Sequence, residues 1–145
     1  MSRIYLLLNR KEMSSEQKSI EEYESVLWWI YPLENEAYRM LPDILKNRYG
    51  IELKDKLIRT DVEGKEIDIL GSANKDGKEV ILVGKVKVRL EDKEAFEELE
   101  DKVNAVKKAY KNNDIVRVIV THYAEKKFIK YAKRKGIIVV QSFEW

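Results

Sequence analysis

The stretch that most constrains this chain runs from residue 65 to residue 90. Two apolar segments, "KEIDILG" over about 65–71 and "KEVILVGKVKVRL" over about 78–90, flank a loop containing Asp76-Gly77. Asp-Gly between strand-like segments is a strong signal for a tight hairpin turn, because both central residues must adopt positive φ. The second segment is nearly continuous in Val, Ile and Leu, as expected of a buried strand. It then carries two lysines, Lys85 and Lys87. Successive strand residues point to opposite faces, so these two share a face, with Val86 opposite. By the same rule Glu66 and Asp68 share a face of the first strand. A short turn places Asp68 opposite position 83 or 85, so all four polar side chains are expected to cluster.

The rest of the chain supplies helices around this hairpin. "SSEQ" at 14–17 has the spacing of a capping box, and Ile20, Tyr23, Leu27 and Ile30 then recur every three or four residues, predicting a helix over roughly 15–30. Leu6, Met13, Ile20 and Leu27 are seven apart, the pattern of a packing seam, and a homodimer contact is expected there. Pro32 is expected to end that helix. A second helix follows over about 34–48, with Pro42 kinking or restarting it and Gly50 at its C-terminal cap. "DKLIRTDV" at about 55–62 is a further strand before the hairpin. Phe96, Leu99, Val103, Val106 and Tyr110 define a helix within 91–111, acidic first and basic later, in the sense the helix dipole favours. A buried strand at about 114–121, a basic helix at about 124–135 ended by Gly136, and a last strand, "IIVVQSF", complete the order. Thr121 is expected to cap the basic helix. Strands in succession first, then strand–helix–strand units, imply an α/β fold with a mixed sheet flanked by helices. The chain divides into an N-terminal helical extension, 1–31, and an α/β domain, 32–145.

Composition narrows the classes of function. There is no Cys and one His in 145 residues, which removes disulfides and Cys/His zinc sites. No apolar run is long enough to cross a membrane and no cleavage pattern follows "IYLLL", so a cytoplasmic protein is expected. The 37% of charged residues, rich in Lys and Glu, suits a thermophile's protein. The net charge is only +2, but residues 101–145 hold 11 Lys/Arg against 4 Asp/Glu, a local +7 that leaves −5 for the first 100. A basic end of this kind attracts nucleic acid, or is simply a solvated helix surface. Neither a phosphate-cradling glycine loop nor a nucleophile elbow is present.

An acidic residue and a lysine on paired strands suit phosphodiester cleavage. Carboxylates hold a divalent cation, and a lysine beside it orients water and offsets negative charge. "EIDILG", a hairpin, "ILVGKVKVRL" and a following helix together resemble the core of the PD-(D/E)XK nuclease superfamily, which includes restriction endonucleases, over about residues 34–121. The chain also resembles archaeal nuclease-like proteins with a helical N-terminal extension. The resemblance implies a restriction-endonuclease-like αβββαβ core, extended here by one helix and one strand. It implies that Asp68 is the metal-binding aspartate and Lys87 the catalytic lysine. Glu36 would be the acid contributed by the preceding helix, and Lys102 would help hold the phosphate. Lys85 stands where the family has Glu or Asp, and there the pattern breaks. Losing a carboxylate and gaining an ammonium weakens a Mg²⁺ or Mn²⁺ site, although Glu66 or Glu36 would be candidate replacements as metal ligands. Lys126, Lys127, Lys130, Lys133 and Arg134 on the basic helix would contact DNA.

Three functions follow: a DNA-binding nuclease homologue with lost or reduced cleavage, an active Mg²⁺-dependent DNA endonuclease, or an interaction protein that keeps only the fold. The plainer roles are a structural ion pair for Asp68, solvent exposure for Lys85 and Lys87, and an ordinary helix-surface acid for Glu36.

Overall fold

The computed structural model describes residues 15–145, with side chains described from Tyr31 onward. The chain runs as helix α1 (Ser15–Tyr49), strands β1 (Ile51–Leu53), β2 (Ile58–Val62), β3 (Lys65–Lys75) and β4 (Lys78–Leu90), helix α2 (Glu94–Ala109), strand β5 (Asp114–Ala124), helix α3 (Lys126–Lys135) and strand β6 (Ile137–Gln141), closing with a 3₁₀ turn over Ser142–Glu144. The order across the sheet is β1-β3-β4-β5-β6, and β2 pairs with β3 beside β1. The β3–β4 hairpin is antiparallel, whereas β4–β5 and β5–β6 are parallel. This is the mixed sheet flanked by helices that the element order implied.

Two layers of core sandwich the sheet. Leu33, Ala37, Leu41 and Leu45 of α1 pack with Ile69, Leu82, Val86 and Val118 on one face. Phe96, Leu99 and Val103 of α2 and Phe128 and Ala132 of α3 pack with Val83 and Ile119 on the other. Burial of β4 on both faces explains its unbroken apolar run. The hairpin turns at Asp76 (φ 53°) and Gly77 (φ 76°), and Lys75 pairs with Lys78, a two-residue loop with positive φ at both central positions.

Three expectations are corrected. Pro32 does not end a helix and Pro42 does not restart one: both lie inside the continuous α1. A proline inside a helix loses one hydrogen bond and costs about 3 kcal/mol, and the buried stripe Leu33, Ala37, Leu41, Leu45 offsets that cost by packing on the sheet. β3 extends to Lys75, because its last residues pair with β1, a strand too short to show a sequence pattern. Thr121 does not cap α3. Its hydroxyl is buried and donates to the carbonyl of either Val88 or Tyr123, while Glu125 occupies the cap position. The capping box at Ser14 and the Leu6–Leu27 seam with its homodimer contact lie outside the described residues.

Candidate functional site

The site begins with an irregularity in β3. Ile58 pairs with Leu70 and Thr60 pairs with Ile67, so one residue of β2, Arg59, faces two of β3, Asp68 and Ile69. This is a β-bulge, and such an extra residue re-aims the side chains around it. Ile67 accordingly packs on the α2/α3 side and Ile69 on the α1 side, although simple alternation would put them together. The bulge also separates the two acids expected to share a face. Glu66 turns to Arg59 of β2, while Asp68 turns to β4, where its Oδ2 accepts the Val86 N–H at 2.9 Å. The side chain thereby replaces ladder hydrogen bonding at the end of the β3–β4 pairing.

The pairing of Ile69 with Gly84 brings Lys85 level with Asp68. The Lys85 ammonium lies 3.7 Å from Asp68 Oδ2 and 2.8 Å from Glu98 Oε2 on α2. The Lys85 and Asp68 side chains are only 18% and 13% exposed, which makes this the most enclosed pairing around Lys85. Burial pulls the Lys85 pKa down, but the charge of Asp68 and the hydrogen bond and charge of Glu98 outweigh it, so the pKa is raised and the ammonium stays charged. Burial likewise pushes Glu98 up, yet the hydrogen bond and charge of Lys85, with the Lys87 charge behind them, hold its carboxyl below the usual range. Lys87 forms no ion pair among the described residues.

Beneath Asp68 lies a polar clamp that contains the carboxylate of α1. Glu34 is buried, and both its oxygens are met by Arg59 Nη1, at 2.5 and 2.6 Å. Tyr38 Oη lies 2.9 Å from Glu34 Oε1 and 2.6 Å from the Asp68 carbonyl oxygen, so its proton ties the helix to the bulge. Burial, followed by the Glu34 hydrogen bond, raises the Tyr38 pKa. The Glu34 hydrogen bond raises that of Arg59, so the guanidinium remains charged.

Glu36, the acid expected from α1, is instead half-exposed and paired with Arg39 at 2.5 Å. Glu34 was legible at helical spacing, since it lies one turn from Tyr38 and next to Leu33 on the buried stripe; Glu36 points away from that stripe. Glu98, also missed, stands four residues before Lys102 and so on the same side of α2. Lys102 is half-buried there. Lys126, Lys127, Lys130, Lys133 and Arg134 are exposed on α3. His122 Nδ1 is 2.7 Å from Ser142 Oγ in a local link to the C-terminal turn.

The metal set Asp68, Glu36 and Glu66 is therefore not gathered, and no group of three His, Cys, Asp or Glu able to hold a metal occurs among the described residues. Helical phase removes Glu36, and the bulge with Arg59 removes Glu66. The donors at Asp68 do not fit a divalent cation: one oxygen already accepts an N–H, and the space beside it holds an ammonium. No helix among the described residues is long and apolar enough to cross a membrane.

A hairpin feeding two strand–helix–strand units, with one helix on the opposite face, defines an endonuclease-like fold. The chain is similar to a repair endonuclease from Pyrococcus abyssi, with 22% identity and a TM-score of 0.50 over 73% of this chain and 46% of that one. It is also similar to EndoMS in its apo form (18% identity, TM-score 0.45, 71% and 44% covered) and to EndoMS in a complex with double-stranded DNA (18%, 0.45, 73% and 43%). The chain thus spans less than half the length of these solved chains. No curated protein matches it. Residues 35–144 match the family described as a domain of unknown function, DUF8196, and the chain belongs to that family.

Proposed function

We propose that this chain is a DNA-binding member of the PD-(D/E)XK superfamily in which Lys85 has displaced the metal ion and cleavage is lost. The observation that carries the reading is the position of the Lys85 ammonium, between Asp68 and Glu98. That is the place a cation shared by two carboxylates would occupy. A fixed ammonium there balances the same negative charge that a metal would. It also repels any second cation, and it offers none of the open coordination positions that activate water. What remains is electrostatic. Lys87, without an ion pair among the described residues, is available to a phosphate, and the exposed cations of α3 extend the positive surface. A repair endonuclease shares this fold, and a shared fold does not by itself carry activity.

The test is a cleavage assay on duplex, single-stranded and branched DNA with Mg²⁺ or Mn²⁺, using the wild-type chain and Lys85→Glu side by side. Cutting by the variant alone, and binding by both that weakens steeply with salt, is the expected result. Wild-type cutting that disappears in Asp68→Ala would establish an active endonuclease and overturn the loss of cleavage. If neither chain cuts or binds DNA at low salt, the protein is one that keeps only the fold.

A further inference from the structure

Tyr131 of α3 is surrounded by cations. Lys93 Nζ lies 5.3 Å from its ring centroid, Lys135 Nζ 5.7 Å and the Arg134 guanidinium carbon 5.9 Å. None of the three is in an ion pair among the described residues. Three like charges converging on one ring repel one another, and an anion would relieve that repulsion. The ring itself is held from below, with Phe96 packed edge-on at 4.7 Å. A cleft of about 500 Å³ opens on each side of Tyr131. One is lined by Lys93, Lys135 and Arg117, the other by Lys93, Lys127 and Arg134.

Four acids line these clefts as well, and two of them are paired with arginines. Arg117 pairs with Glu100 at 2.6 Å and Arg89 with Glu91 at 3.1 Å. Asp92 accepts only the Glu94 backbone N–H at 3.0 Å and keeps its charge, so Asp92 and Glu97 are the lining acids without a cation partner among the described residues. On α3, Lys127, Tyr131, Arg134 and Lys135 fall at helical spacing along one stripe. From Lys127 to Lys135 that stripe is about 12 Å long.

We infer that the groove between the start of α2 and α3 binds a single nucleic-acid strand, with Lys93, Arg134 and Lys135 on its phosphates and Tyr131 as a stacking platform for a base. The inference rests on the DNA-binding reading above and adds to it a stacking platform on α3 and the kind of strand it takes. A recess the size of a small-ligand pocket admits one strand rather than a duplex. Cations tracking the backbone beside an aromatic face are what sequence-tolerant single-strand binding requires.

The experiment is a fluorescence-anisotropy titration of the full chain with labelled oligothymidine and with a duplex of equal length, across about 50 to 200 mM salt. Tyr131→Ala should weaken single-strand binding by about 10-fold while changing duplex binding little. Tyr131→Leu, which keeps an apolar side chain against Phe96, should do the same and guards against unfolding, checked by circular dichroism. Lys93→Glu with Lys135→Glu should flatten the single-strand salt slope by about 1.4, that is about 0.7 for each phosphate no longer neutralised. Lys108→Glu, at the far end of α2, should leave the effect of Tyr131 intact. If the wild type binds oligothymidine and the folded Tyr131 and lysine variants bind it equally well, the groove assignment is overturned while DNA binding stands. If the wild type binds neither nucleic acid at low salt, both fall together.

Discussion

Arg59→Ala should destabilise this protein more than Glu34→Ala, although the two residues form one ion pair. The Glu34 side chain is 5% exposed and Arg59 35%, so the consequences of truncation are unequal. Without Arg59, the Glu34 carboxylate keeps only the Tyr38 hydroxyl and becomes a buried charge with no counter-ion. Breaking a buried pair in that way costs about 3–5 kcal/mol, and the partial exposure of Arg59 argues for the lower end, about 3 kcal/mol. Without Glu34, each former partner keeps another: Arg59 retains Glu66, and the Tyr38 hydroxyl retains the Asp68 carbonyl. The cost is then about 1–2 kcal/mol of lost hydrogen bonding and packing. Glu34→Gln added to Arg59→Ala removes the stranded charge and should recover a large part of the loss. Urea unfolding followed by circular dichroism reads all four chains. At an m-value of about 2 kcal/mol/M, Arg59→Ala should lower the midpoint by about 1.5 M. Equal losses for the two single variants, or no recovery in the double one, would refute the view that Arg59 exists to neutralise Glu34 beneath the bulge.

The Lys85–Glu98 pair sets a pH window. Glu98 has its pKa lowered from the ordinary 4.5, so its contribution is present above that pH and lost as pH falls through the folded value. Lys85 has its pKa raised from 10.5, so its contribution is complete below that pH and lost as pH rises through the higher folded value. The stability gap between wild type and Lys85→Met should therefore be flat from about pH 4.5 to 10.5 and shrink beyond either end in thermal unfolding; a gap that changes steadily across neutral pH would contradict this assignment. Gly84→Ala and Gly71→Ala should differ. A methyl at 84 meets Ile69 Cβ at 2.9 Å, beside the bulge, whereas one at 71 meets only the tip of Leu57 at 2.7 Å. Denaturant unfolding should show a loss of about 1–3 kcal/mol at 84 and a smaller one at 71; the reverse order would mean that the bulge yields more readily than a side-chain end.

The parts of the fold that could be read in advance are those with a local cause. Asp76-Gly77 sets the hairpin, the apolar run of β4 announces a buried strand, and the stripe from Phe96 to Val106 marks α2. The misreadings came where distant packing overrides a local preference. The prolines of α1 are carried by packing on the sheet. β1 exists because three residues of β3 need a partner. At the site, the juxtaposition of Asp68 and Lys85 was legible but the acid that joins them, Glu98, was not. Strand alternation predicts Glu66 beside Asp68 until one extra residue enters β3. The bulge depends on β2 pairing with β3 on both sides of Arg59, and nothing local in "KEIDIL" encodes it.

That bulge bears on what the site can do. It aims Asp68 at β4, and the hydroxyl of Tyr38, anchored by Glu34 and Arg59, holds the backbone in place. A lone structural ion pair between Asp68 and Lys85 would need neither an irregular strand nor a buried carboxylate on α1 to position it. The arrangement instead delivers two carboxylates, Asp68 and Glu98, from different elements to one point, and fills that point with the side chain of Lys85. Position 85 is therefore where the proposed loss of cleavage is tested. With lysine there, both carboxylates face a fixed ammonium, and on the reading proposed above the positive charge at Lys87 and along α3 would bind phosphate without cutting it.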